Sequence, residues 1–238
     1  MQKFILSVAI ACLMGISVNG SAQAAAYFDP AQAYVKLLLD KDASSTVRIG
    51  GYKVVGTPFL FGEKHIGNIF TKDGNALNIQ LSYNTYTQQV DVYNAGADIA
   101  IIKELASVDS FLLKGNKGGP MENDLHFVNA ATTSSTEKAF FQIVYQGSKY
   151  ILYKKYKSEL GYVSTNYVQS ELRQFDLSFE FFYTNVATKT TKKLKLNSYS
   201  VKKEFKSQAG IDELINDEAF SNNPEFSLIQ LFTVMNAQ

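Results

Sequence analysis

The stretch NIQLSYNTYTQQVDVY, residues 78–93, reverses its apolar phase half-way. Ile79, Leu81 and Tyr83 are apolar at odd positions, whereas Tyr86, Val90 and Val92 are apolar at even ones. Side chains of a strand alternate between faces with period two, so one flat strand cannot bury both sets. A hairpin resolves the conflict. With Asn84-Thr85 as a two-residue turn, Tyr83 faces Tyr86, Leu81 faces Gln88, Ile79 faces Val90 and Leu77 faces Val92. One face then collects apolar side chains, and the other collects Ser82 with Thr87, Gln80 with Gln89 and Asn78 with Asp91. A bulge would also reverse the phase but would leave this sorting unexplained. Asn84 tolerates a positive φ and Thr85 does not, which leaves room for a slightly longer loop. The two tyrosines are expected to be a cross-strand aromatic pair and not a binding site.

The same device recurs along the chain. TVRIGGYKVVGTPFLF (46–61) reads as strands interrupted at Gly50-Gly51 and Gly56, and Asp73-Gly74 is a hairpin dipeptide between two apolar runs. In FFQIVYQGSKYILYKKY (140–156), a Gly147-Ser148 turn sets Tyr145 against Tyr150, Val144 against Ile151 and Ile143 against Leu152. Phe141 to Val144 are nearly continuously apolar, which suits a central strand covered on both faces. Phe175, Leu177, Phe179 and Phe181 alternate on one face of a further strand, with Leu194 and Leu196 as candidates to answer them. Residues 115–124, 130–136 and roughly 157–172 read as loops. Helices are expected at the two ends. Asp29-Pro30 starts a short one with Val35, Leu38 and Leu39 on one stripe. Val201, Lys202 and Phe205 suit a helix ending near Gly210, followed by one carrying Ile211, Leu214 and Ile215. Asn223-Pro224 starts the last, with Leu228, Leu231, Phe232 and Met235 on a common face. The fold class expected is α+β and predominantly antiparallel β. Its hairpins form a curved sheet or a partly open barrel, with a short N-terminal helix and a helical part at about 198–236.

Residues 1–24 read as a secretory signal: Lys3, an apolar run from Phe4 to Val18, and the cleavage motif Ala22-Gln23-Ala24. Cleavage after Ala24 leaves residues 25–238 as one β-rich domain, and cleavage after Ala22 is the alternative. The apolar run is too short for a good membrane anchor, so no transmembrane segment is expected in the mature chain. Cys12, the only cysteine, sits inside that run. It is not at the end of a Leu-small-small triplet, as a lipoprotein signal requires. The mature chain thus lacks disulfides, thiolate metal sites and a cysteine nucleophile. The expected location is the periplasm, the outer membrane or the cell surface.

Charge is unevenly spread. Residues 25–137 carry 9 Lys/Arg and 12 Asp/Glu, residues 138–206 carry 13 and 5, and residues 207–238 carry none and 5. The basic 138–206 region suits contact with an anionic surface such as lipopolysaccharide or an acidic glycan. Alternatively its lysines are the wet face of strands with the acidic tail packed nearby.

The order of the segments GTPFL, LSYNTYTQQVDV, VDSFLL, FFQIVYQGSKYILYKKY and LFTVMN resembles a group of secreted or envelope proteins of unknown function from Bacteroidota. That group shares a Gly-x-Pro-aromatic-Leu segment, a Leu-x-Tyr-Asn hairpin and a GxxxLYKKY-like strand. The resemblance implies an envelope location and a β-rich domain with a helical end, and it carries no catalytic or binding residues across.

Recognised chemistry is sparse. His65 and His126 are far apart in sequence with no HExxH, and there is no Gly-x-Ser-x-Gly elbow or Gly-x-x-x-x-Gly-Lys phosphate loop. KGNKGGP (114–120) lacks phosphate-loop spacing, and neither DKD (40–42) nor IDELINDE (211–218) matches a calcium loop. No nucleic-acid motif, metal site, cofactor site or catalytic residue is expected. The leading expectation is a non-enzymatic envelope protein acting by binding or structural association. The alternatives are a carrier of a lipid or other apolar ligand, and a hydrolase with an unrecognised carboxylate pair.

Overall fold

The computed structural model describes residues 47–49, 52–94, 100–162 and 172–237. The expected signal segment and the helix expected after Asp29 lie outside the described residues. Strand β3 (His65–Thr71) and strand β4 (Gly74–Asn84) turn at Lys72-Asp73, one residue before the expected dipeptide. Strands β4 and β5 (Gln89–Tyr93) form the hairpin expected from the phase reversal, but on a longer turn, Thr85–Gln88. Tyr83 pairs with Val90, Ser82 with Asp91 and Leu81 with Val92. The register moves by an even number of residues, so Leu81, Tyr83, Val90 and Val92 still share a face.

The longer turn has a local cause. Asn84 Oδ1 accepts the backbone amides of Tyr86 and Thr87, each at 3.0 Å, so the chain turns through an Asx motif. Gln88, not Thr85, takes the left-handed conformation, with φ 58°. Tyr86 consequently does not meet Tyr83; its ring lies edge-on to Phe175, centroids 5.5 Å apart. The face expected to be wet is partly covered as well. Ser82 and Asp91 are buried while Gln80 stays exposed. The loop before β3 runs across them, and Lys64 N donates to Ser82 Oγ at 2.8 Å.

The remaining strands are β1 (Val47–Ile49), β2 (Tyr52–Val55), β6 (Ala100–Lys103), β7 (Ser110–Leu113), β8 (Leu125–Asn129), β9 (Phe140–Gln146), β10 (Tyr150–Tyr162), β11 (Leu172–Asn185) and β12 (Thr190–Leu194). All belong to one sheet in the order β1-β2-β11-β10-β9-β8-β7-β3-β4-β5-β6, with β12 on the far end of β11. The β2–β11 pairing is parallel and the others are antiparallel, so the sheet is mixed, mostly antiparallel and unclosed. Residues 157–162, expected as loop, continue β10: Lys157 pairs with Ser178 and Glu159 with Asp176. This end of the β10–β11 ribbon runs past the last β9 pair, Gln142 with Lys154. Polar residues suit its wet faces, and they imitate a loop in composition.

The β9–β10 hairpin is also shifted from its expected register. Leu152 pairs with Tyr145, and a bulge then brings Tyr153 opposite Ile143. The turn is shaped by a residue from the far end of the chain. Asn236 Oδ1 accepts the amides of Lys149 at 2.8 Å and Tyr150 at 3.0 Å. A Cβ on Gly147 would come within 2.1 Å of the same side chain, so any larger residue there would have to displace Asn236.

Two cores lie on one face of the sheet. In the first, Tyr83, Phe111, Phe127 and Phe140 are fully buried and their rings interlock; Phe111 stacks on Phe127 at 4.6 Å and Phe140 meets Tyr83 edge-on at 5.8 Å. The sheet curls round this core without closing. Gln88 spans the gap: it accepts from Tyr83 Oη at 2.6 Å and Phe140 N at 3.2 Å, and donates to Thr85 O and Tyr156 O. In the second core, Leu152, Phe181 and Tyr183 pack under four helices. These are α1 (Ser198–Glu204), α2 (Ile211–Leu214), α3 (Asp217–Asn222) and α4 (Pro224–Ala237). Asn223 Oδ1 accepts from Phe226 N at the start of α4, and Leu228, Leu231, Phe232 and Met235 are buried as the apolar stripe requires. Helix α3 was not expected; Asn216 caps it by accepting the amides of Glu218 and Ala219. Phe141 and Phe182 stack at 4.6 Å on the opposite face, so β9 is covered on both sides as expected. Among the described residues, no helix is long and apolar enough to cross a membrane.

Candidate functional site

The helices leave one end of the β10–β12 ribbon uncovered. A cleft of about 660 Å³ opens there, between the β9–β10 turn, the end of β11, β12 and the segment following α1. Tyr150, Tyr183, Phe205 and Met235 give it apolar surface, and Asn185, Thr188, Thr190, Ser207 and Gln208 give it neutral hydrogen-bonding groups. Its size falls in the range of ligand sites, and its mixed lining differs from the closed cores beside it.

Each wall has a local origin. Asn236 sets the Lys149-Tyr150 backbone, and Val186 N donates to Lys149 O at 2.9 Å, tying the β11–β12 turn to the β9–β10 turn. Asn185 Oδ1 accepts from Thr188 N, and Lys189 takes the left-handed conformation with φ 52°. Asn197 caps α1 by accepting from Ser200 N at 2.8 Å. Phe205 then wedges against Tyr183 and Phe232, at 5.1 and 5.5 Å between centroids.

Among the described residues, the cleft holds a single carboxylate, Glu204. The Tyr183 hydroxyl donates to Glu204 Oε1 at 2.5 Å, and Lys192 Nζ lies 3.2 Å from the same oxygen. These donors hold the Glu204 carboxyl below its ordinary range. Burial, with the adjacent carboxylate, keeps the Tyr183 hydroxyl protonated well above the usual phenol range. Neither group is thus poised to exchange a proton near neutrality, and the trio acts as a fixed polar wall. Lys149 lines the mouth, and Lys189 and Lys206 are next in sequence to lining residues; all three are exposed and, among the described residues, without a carboxylate in ion-pair range. With Lys192 against Glu204, the rim carries an excess of positive charge.

Much of the basic 138–206 region is otherwise neutralised. Lys154 pairs with Glu225 at 2.7 Å, Lys155 with Glu137 at 2.6 Å, and Lys202 with Asp217 at 3.0 Å. Asp217 and Glu225 belong to the acidic tail, so that part of the charge asymmetry is internal. Lys154 also sits 4.5 Å from the Phe179 ring centre and 4.9 Å from that of Tyr156.

The other sequence candidates lead to structural roles. The Tyr83-Asn84-Thr85-Tyr86 corner is packed: Thr85 Oγ1 donates to Pro58 O at 2.8 Å and lies 2.6 Å from Ser158 Oγ. His65 Nε2 is 3.1 Å from both Leu60 O and Gly62 O and pins the loop before β3, whereas His126 is exposed on β8. The KGNKGGP loop closes on itself, with Asn116 N donating to Met121 O at 2.7 Å and Met121 buried in the first core. IDELINDE spans α2 and the start of α3, and DKD lies outside the described residues. Among the described residues, no group of three or more His, Cys, Asp or Glu side chains is placed to hold a metal ion. Asp91 is a separate oddity. It is 3 % exposed, and burial, with Glu63 nearby, raises its carboxyl to about 6.

Tyr150, Phe205 and Met235 were read from sequence only as packing residues, and the one signal of a site there was the basic composition of 138–206. The chain matches no protein-family model, no curated protein and no solved structure.

Proposed function

We propose that the chain is an exported cell-envelope protein that works by binding and not by catalysis, and that the cleft beside Glu204 receives an anionic partner. The observation that carries this reading is the make-up of the cleft. A ligand-sized hollow is ringed by hydroxyl, amide and lysine side chains, while the Glu204 carboxylate in its wall is held ionised by Tyr183 and Lys192. Lysines at a rim attract an anion at long range, and fixed neutral donors and acceptors select its shape. The N-terminal signal pattern and the resemblance to envelope proteins of Bacteroidota support export. The chain's 17 Phe and 14 Tyr, the residues a carrier of apolar ligands would use as lining, are largely taken up in interlocked cores, which favours the polar cleft over an apolar cavity.

Two measurements test this. N-terminal sequencing of the mature protein is expected to begin at Ala25, or at Gln23; retention of Met1 on a cytosolic protein would overturn the export reading. Residues 25–238 mixed with purified envelope fragments should co-sediment at low ionic strength and be released as salt rises. The Lys149→Gln, Lys192→Gln double variant should stay in the supernatant while melting like the parent. A parent protein that remains in the supernatant at low salt contradicts the binding reading.

A further inference from the structure

A second hollow, of about 460 Å³, begins on the other side of Glu204. Lys193, Lys195, Tyr199 and Lys203 line it, so β12 presents a lysine to each hollow and α1 adds Lys203 to the second. Lys193 is tied to Glu180 at 2.5 Å, but among the described residues Lys195 and Lys203 have no carboxylate in ion-pair range. The neighbouring Lys202 is drawn towards Asp212 and Asp217, which mark the acidic end of the strip. Tyr199 is 74 % exposed beside the second hollow, and Tyr150 edges the first.

We propose that the ligand is an extended acidic glycan chain laid along β12 and α1 across both hollows. This rests on the reading that the cleft takes an anionic partner, and it adds the class and length of that partner. Two ligand-sized hollows meeting at a shared wall suit a polymer better than a small anion. Unpaired lysines at both ends supply charge for repeated carboxylates. Hydroxyl and amide side chains match sugar hydroxyls, and a tyrosine ring at each end offers an apolar face to a sugar ring. A lipid would need an enclosed apolar lining, and these hollows are open with mixed walls. Single-stranded nucleic acid would need successive exposed rings for stacking, whereas the two tyrosines stand at opposite ends of the strip.

The test is calorimetric titration of residues 25–238 with oligogalacturonates from dimer to octamer. Neutral malto-oligosaccharides, phosphatidylglycerol vesicles and an oligothymidylate serve as comparisons. Affinity should rise about tenfold or more from dimer to octamer, because the second hollow adds an intramolecular contact. The Lys195→Gln, Lys203→Gln variant should lose that gain and keep dimer binding unchanged. Binding that does not depend on length or on these two lysines would overturn the extended ligand while leaving the cleft reading intact. No binding by any oligogalacturonate would count against both. Equal binding of the neutral sugars, or tighter binding of vesicles or oligothymidylate lost in the same variant, would overturn the assignment to an acidic glycan.

Discussion

The two cores share one face of one sheet yet close in different ways. Around the first, the sheet curls on itself, and Tyr83, Phe111, Phe127 and Phe140 fill the interior from strands that are close neighbours in the sheet. Its remaining gap is bridged by Gln88 together with the Thr85–Ser158 and Tyr86–Phe175 contacts. Around the second, four short helices cover the ribbon, and the ribbon's end stays open. Curling satisfies a strand's backbone and side chains together, whereas short helices cover only as far as their caps and stripes reach. The open space, and with it the proposed function, therefore falls where cover is supplied from outside the sheet.

The comparison breaks most visibly at Leu81. Leu81→Asp puts a carboxylate into the fully buried first core and should cost more than about 4 kcal/mol by urea denaturation. Gln80→Asp, exposed on the same strand, should cost less than about 0.5 kcal/mol. Equal costs would mean that the two faces of β4 are not distinguished. In the second core, Phe232→Ala removes a ring wedged between Tyr183 and Phe205 and should cost about 3–5 kcal/mol. It should also weaken binding in the cleft, which no comparable loss in the first core would do.

Gln88→Ala probes the bridge. It takes the acceptor from the buried Tyr83 hydroxyl and the Phe140 amide and a donor from the Tyr156 carbonyl, for an expected loss of about 2–3 kcal/mol. A loss below about 0.5 kcal/mol would show that the curl holds without it.

Asp91 should shift stability in the opposite sense at neutral pH. Its proton is favoured in the folded state, because burial and Glu63 lift its carboxyl from 3.8 to about 6. Ser82 pairs with it across the strands, Tyr93 lies near it, and Lys64 reaches over the Tyr93 ring. The stabilisation from protonation is full below 3.8 and is lost as pH rises through about 6. Asp91→Asn should therefore be about 3 kcal/mol more stable than the parent at pH 7.5 and nearly equal to it at pH 4. A parent whose stability does not fall between those values would place the carboxylate in water.

The two regions also differ in how far they could be read from sequence. The β4–β5 hairpin was legible because its evidence is local: the phase reversal at Tyr83 to Tyr86 demands a turn, and an even slip preserves the faces. Its loop length was not, because the Asn84 side chain, and not an ideal two-residue turn, organises it. The stripe of α4 was legible for the same local reason. The β9–β10 register was hidden, since Asn236 shapes that turn from the far end of the chain. The cleft was hidden more completely. Lys149, Thr188 and Gln208 meet only after β10, β11, β12 and α1 are in place, so no spacing in the sequence announces them. Polar strand residues 157–162 failed in the other direction, by looking like a loop while pairing along β10.

The central claim is that binding belongs to the open end and not to the curled core. Backbone amide mapping by nuclear magnetic resonance tests it most directly. Labelled residues 25–238 would be titrated with the galacturonate octamer. Shifts should concentrate at Lys149 and Tyr150, at Thr188 to Lys192 and at Tyr199 to Gln208, with Tyr83 to Gln88 unmoved. Shifts centred on the Tyr83–Gln88 corner, or on the exposed Leu177 and Phe179 of β11, would contradict the account.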